Sequence, residues 1–130
     1  AVLMTANKTR GEVSLELEGQ EYVLRPSYEA ISAFEAQTDR SLIDLARAAG
    51  DGQLKMSEAA IIATECIKAH GRAVDDKALA AFNAARVGEL ILQADGGLLI
   101  AMKRLELLLF MAATGGYTGS GEVKATTKGN

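Results

Sequence analysis

The sequence predicts an α+β fold that is mainly α: a β-hairpin over residues 11–26, then a bundle of four to five helices. Three observations carry this. Apolar residues alternate at period two near the N-terminus and then recur at three to four. Ala and Leu are abundant, whereas there is one Pro and no Trp among 130 residues, a composition that favours helix. Capping residues and glycines punctuate the chain at helix-length intervals.

The organisation follows from the same reading. Residues 1–10 are polar and irregular and read as a flexible arm. Residues 11–114 form one globular domain. Residues 115–130, rich in Gly, Thr, Ser and Lys, read as a flexible tail with little to bury.

Within the hairpin, Val13, Leu15 and Leu17 alternate with Ser14, Glu16 and Glu18. A turn at Gly19-Gln20 would place Leu17 opposite Tyr22 and Leu15 opposite Leu24, on one buried face. Pro26 ends the second strand. Ser27 then caps a helix carrying Tyr28, Ile31 and Phe34, which runs to about Gln37. Ser41, with Asp44 three residues on, caps a second helix closed by Gly50-Asp51-Gly52.

Ser57 is the expected cap of a third helix, with Ala59, Ile62, Cys66 and Ala69 inward and Gly71 at its end. A fourth helix starts near Lys77 and carries Leu79, Phe82, Val87, Leu90 and Ile91. Asp95-Gly96-Gly97 breaks it, and the helix from Leu98 to Ala113 follows.

That last helix is apolar around most of its circumference. Leu98, Met102, Leu105 and Leu109 form one line, while Leu99, Leu107, Leu108, Phe110 and Met111 spread over the rest. A helix of this kind is surrounded on several sides. Either it is the central helix of the bundle or part of it meets another chain. For the second case the candidate protein-interface residues are Leu98, Met102, Leu105, Leu109 and Phe110. The hairpin adds to the same expectation, because two strands alone are marginal in water and have open edges.

Composition narrows the function classes. A net charge of −3 without a basic cluster argues against nucleic-acid binding. The first residues lack the basic and long apolar regions of a signal peptide. Lys103, Arg104 and Glu106 interrupt the most apolar segment, so no membrane span is expected.

Chemistry is sparse. Cys66 and His70 are the chain's single Cys and His. They stand one helical turn apart, and a zinc site needs more ligands than they supply. Catalytic pairs normally come from different elements around a pocket. The Gly115–Gly121 run lacks the Lys-Ser/Thr end of a phosphate loop. The expectation is therefore no enzyme, no catalytic or metal-binding residue and no cofactor.

The joined run from Arg10-Gly11-Glu12-Val13 through Tyr22-Val23-Leu24-Arg25-Pro26-Ser27-Tyr28-Glu29-Ala30, then Phe34-Glu35-Ala36 and Ser41-Leu42-Ile43-Asp44-Leu45-Ala46, resembles a known family. It is the small tail protein encoded in gene transfer agents and in long-tailed phages and prophages. That family is tail tube-associated and grouped with phage tail-assembly chaperones. The resemblance implies a protein of the bacterial cytoplasm that binds the tape measure protein or tail tube proteins and has no active site. Homo-oligomerisation stays open. Two alternatives remain: a structural subunit of the tail tube, and a small Cys/His metal-binding protein around Cys66 and His70.

Overall fold

The computed structural model describes residues 12–124. Its elements are β1 (Val13–Leu17), β2 (Gln20–Leu24), α1 (Tyr28–Thr38), α2 (Leu42–Gly50), α3 (Met56–Ala73), α4 (Lys77–Ala80), α5 (Ala84–Gln93) and α6 (Gly97–Ala113). The hairpin-then-helices order is the predicted one. There are six helical segments rather than four to five, because the predicted fourth helix splits in two. The expected arm over residues 1–10 lies outside the described residues.

β1 and β2 pair antiparallel, with Leu17 opposite Gln20, Leu15 opposite Tyr22 and Val13 opposite Leu24. The register expected from a Gly19-Gln20 turn is thus corrected. The turn residues are Glu18 and Gly19, with φ of 53° and 74°. Positive φ at both central positions makes a type I′ turn, whose twist matches that of the strands. Each partner shifts by two residues, an even number, so the buried face is unchanged. Val13, Leu15, Leu17 and Leu24 all enter the core. Tyr22 packs its ring 5.3 Å from that of Phe82.

Two predicted caps are present. Ser27 Oγ accepts the Ala30 N–H at 3.0 Å, and Ser41 Oγ accepts the Asp44 N–H at 3.0 Å. The third is corrected. Helix α3 starts at Met56, so Ser57 lies inside it and Lys55 takes the cap position. Glu58 reaches back to accept the Lys55 N–H at 2.9 Å. The same carboxylate receives Arg40 Nη1 on both oxygens, at 3.1 and 2.9 Å, tying the α1–α2 corner to the start of α3. Arg40 also meets Asp44 at 2.9 Å. These two acidic partners hold the Arg40 guanidinium firmly charged, and the Asp44 carboxyl is pushed below the usual carboxylate range by Arg40.

Helix α3 is the centre of the molecule. Ala59, Ile62, Ala63, Cys66, Ile67 and Ala69 are buried along it. Helices α1, α4, α5 and α6 and strand β2 all pack on it. Even its polar residues are covered: Glu65 is buried, accepts from Gln37 Nε2 at 2.7 Å and meets Lys68 at 3.6 Å.

Gly71 was expected to end α3, but it lies within the helix, which continues to Ala73. A Cβ there would stand 2.6 Å from the Ala80 nitrogen and 2.7 Å from Leu79 Cβ. The glycine therefore lets α4 cross α3 at close range. Asp75 turns the chain with φ of 59°, and Asp76 Oδ1 caps α4 by accepting from Ala78 and Leu79. Asn83 Oδ1 then caps α5 by accepting from Arg86, which is where the predicted continuous helix breaks.

The expected flexible tail was residues 115–130, of which 125–130 lie outside the described residues. The structure places residues 115–124 back on the body. Tyr117 bridges Val123, the Tyr28 N–H donates to Gly119 O at 2.8 Å, and Arg25 Nε donates to Ser120 O at 2.8 Å. Gly121 is buried against Pro26 and Ser27 with φ of 88°, a conformation and a contact that exclude a side chain. Low hydrophobicity hid this segment, because main-chain hydrogen bonds hold it.

Gly71→Ala tests the central packing by its sign. In an open helix, alanine would stabilise by about 1 kcal/mol. Here the clash with α4 should make the change destabilising by about 1–3 kcal/mol, read by urea denaturation. A stabilised variant would contradict the close crossing.

Candidate protein-interaction surface

Helix α6 restarts after Gly96 and Gly97, whose φ values are 84° and 54°. A Cβ on Gly96 would lie within 2.1 Å of Ile100 Cγ1, so the sharp entry depends on glycine there. From this start, α6 packs on α2, α3, α5 and β1. Its inward side is Ala101, Leu105, Leu108 and Leu109, with Leu98, Met102 and Met111 partly buried against the core.

The candidate interface line therefore requires correction. Leu105 and Leu109 are 0% exposed and hold the chain's own core together. Leu98 and Met102 lie beside them. Of the five candidates, Phe110 alone is exposed, at 63%. The outward large apolar residues are instead Leu99 at 74%, Ile100 at 48%, Leu107 at 50% and Phe110. The spacing of eight and three brings Leu99, Leu107 and Phe110 to one side of the helix. Lys103, Arg104 and Glu106 are exposed too. These charges mark the solvent side of α6 and could have identified it from the sequence.

Two grooves flank this region and the helix beside it. Between α2 and α6, Ala46 and Gly50 face Lys103, Glu106, Leu107 and Phe110 across about 330 Å³. Between α3 and α5, Ala60, Ala84 and Gly88 help line a wider apolar groove of about 600 Å³. Met56, Ile61 and Leu92 line its sides.

Cys66 and His70 behave differently. Cys66 is fully buried in the core, and burial pushes its thiol pKa up, away from the thiolate that binds metals or attacks carbon. His70 is held below its usual pKa mainly by burial. The charge of Glu12 opposes that shift, and Arg25 adds to it. Its Nδ1 is buried and has no hydrogen-bond partner among the described residues. Tyr117 is pushed up to about 12, again chiefly by burial. Among the described residues, no three of His, Cys, Asp and Glu are grouped to hold a metal ion. No helix among them is long and apolar enough to cross a membrane.

The chain matches a known family across residues 10–98, from the residue before the hairpin to the first turn of α6. The chain belongs to the family described as phage tail tube protein, GTA-gp10. The resemblance read from the Gly-Glu-Val hairpin and the Arg-Pro-Ser corner is thereby established. No curated protein and no solved structure matches the chain significantly. The family's matched segment contains the hairpin, the α3 core and both sides of the α3–α5 groove. The outward residues of α6 lie just past its end.

Two outcomes check these assignments. Leu105→Ala should cost about 2–5 kcal/mol in urea denaturation, whereas Leu107→Ala, on the outward side, should stay within about 0.5 kcal/mol. The second concerns pH. An unfolded histidine titrates near pH 6.5, and folded His70 titrates lower. Between those values the unfolded chain holds more protons, so stability rises with pH through the window. The His70 contribution is complete above about pH 6.5 and is lost as pH falls below it. His70→Gln should flatten that part of the stability–pH curve.

Proposed function

We propose that this protein is a non-enzymatic assembly factor for a phage-like tail, acting in the bacterial cytoplasm. It binds the tape measure protein or tail tube proteins while they assemble. The observation that carries this reading is the exposed apolar stripe Leu99, Leu107 and Phe110 on α6. Large apolar side chains aligned on one helix face, next to a groove, are the surface that an amphipathic helical partner covers. A tape measure protein, long and helical, offers such a face. The family supports the tail context. The buried state of Cys66 leaves the Cys/His metal reading without support.

A second reading has a specific observation in its favour: the family description names a tail tube protein. On that reading the same stripe would meet neighbouring subunits and remain covered in the finished tail. Mass spectrometry of purified mature particles separates the two, since an assembly factor is absent and a tube subunit is present in many copies.

The binding test uses co-expression with the tape measure and tube proteins of the same tail-gene cluster. Leu99→Glu together with Phe110→Glu should leave the far-UV spectrum and urea midpoint nearly unchanged and reduce co-purification of the partner at least tenfold. Undiminished co-purification would sink the assignment of this face.

A further inference from the structure

We infer that the strap over residues 116–124, which follows α6, is an exchangeable clasp: the strap of one copy of this chain seats on the β2–α1 corner of another. This goes beyond the α6 surface proposed above and rests on other elements. The strap is folded on itself. Tyr117 bridges Val123, the Thr118 N–H donates to Glu122 O at 2.8 Å, and the Lys124 N–H donates to Gly116 O at 3.0 Å. Its tip turns back through a bond of 2.9 Å from the Gly121 N–H to Thr118 O. These bonds are internal, so unseating the strap does not break them.

The seat is small and continuous in sequence. The Tyr28 N–H donates to Gly119 O at 2.8 Å, Arg25 Nε donates to Ser120 O at 2.8 Å, and Arg25 Nη2 meets the Glu122 carboxylate at 3.5 Å. Gly121 presses on Pro26 and Ser27, where a Cβ would stand 2.7 Å from Ser27 N. These contacts use residues 25–28, a corner fixed by the buried Pro26 and by the Ser27 cap. The corner offers the same donors whichever chain supplies the tip. It is also open on one side, where a groove of about 440 Å³ runs past Gly119 and Ser120 to Glu29, Ala69 and Arg72. A tip leaves or enters there without disturbing the core.

The link to the body is a glycine hinge. Gly115 has φ of 83°, and the Gly116 N–H donates to Met111 O at 2.7 Å, which folds the strap back over the end of α6. Glycine adopts negative φ as readily as this left-handed one, so the hinge opens without steric cost. Exchange re-forms on a neighbour each seat contact that opening breaks, and swapping an identical element is therefore a low-cost route to association. A second copy is the occupant whose fit the structure shows contact by contact, because its strap is identical to the one seated. In dilute solution a chain's own strap prevails, since a short tether holds it at an effective concentration of about millimolar. Copies gathered to that density exchange.

The test mixes two full chains at high concentration. One carries Tyr28→Cys and an affinity tag, and the other carries Gly119→Cys. Tyr28 is 76% exposed, and a Cβ on Gly119 would meet nothing within 4 Å, so both positions accept the change. Cys66 is buried and stays out of the reaction. A short bis-maleimide should join unlike chains at least fivefold more than like ones, read on a denaturing gel. Gly115→Val in both chains strains the closed hinge and should raise that yield at least threefold. Arg25→Ala in the Tyr28→Cys chain removes two seat contacts and should lower it at least threefold. Equal joining of like and unlike chains would mean random collision and would overturn the proposal. Gly115→Val chains that stay monomeric in sedimentation at every concentration would overturn it too. The chain with Leu99→Glu and Phe110→Glu should exchange straps normally, so a failure of the α6 face and a failure of strap exchange are read apart.

Discussion

The whole arrangement depends on how closely its neighbours can approach α3. Ala59, Ala63, Cys66, Ala69 and Gly71 present little bulk, so four helices and a strand pack around one axis. Close approach is also what buries Glu58 and Glu65, and each is then satisfied by a neighbour: Arg40 for the first, Gln37 and Lys68 for the second. A buried carboxylate without such partners would cost several kcal/mol. The acidic residues on α3 thus specify where α1 and the α1–α2 corner sit, while the small residues set the distance.

With α3 at the centre, α6 is left at the periphery. One side of it closes the core against α2, α5 and β1, and the other faces solvent. The apolar excess that the sequence shows around this helix therefore has two separate causes. Leu105, Leu108 and Leu109 serve folding. Leu99, Leu107 and Phe110 contribute less to the isolated fold, since half or more of each remains exposed. Scattered surface apolar residues are ordinary. Three on one helix face beside a groove form a patch, and patches of that kind are typical of binding surfaces.

Much of the fold was legible because it rests on local rules. Ser27 and Ser41 cap as their side-chain chemistry dictates, and the Gly96-Gly97 break follows from backbone entropy and left-handed φ. What was illegible depended on distant partners. Gly71 looks like a helix stop in sequence, and only the crossing of α4 reveals it as a packing glycine. Lys55 has no capping side chain, and Glu58 does the capping from three residues on. The hairpin slipped by two residues because Gly19 suits the second position of one turn as well as the first position of another. Alternation cannot distinguish registers that keep the same face inward. The candidate interface went astray for a similar reason. The line Leu98, Met102, Leu105 and Leu109 is the more regular apolar stripe, and regularity is the signature of a core-facing side. The exposed set is irregular and interleaved with Lys103 and Glu106.

The hairpin draws its burial from the helices rather than from a wider sheet. A two-stranded sheet gains enough burial from α3, α5 and α6 to persist, so its outer edge is not required for folding. Proteins that leave an edge free usually blunt it with charge. Here Glu16 is exposed on β1, and Glu18 in the turn pairs with Arg86 at 3.4 Å.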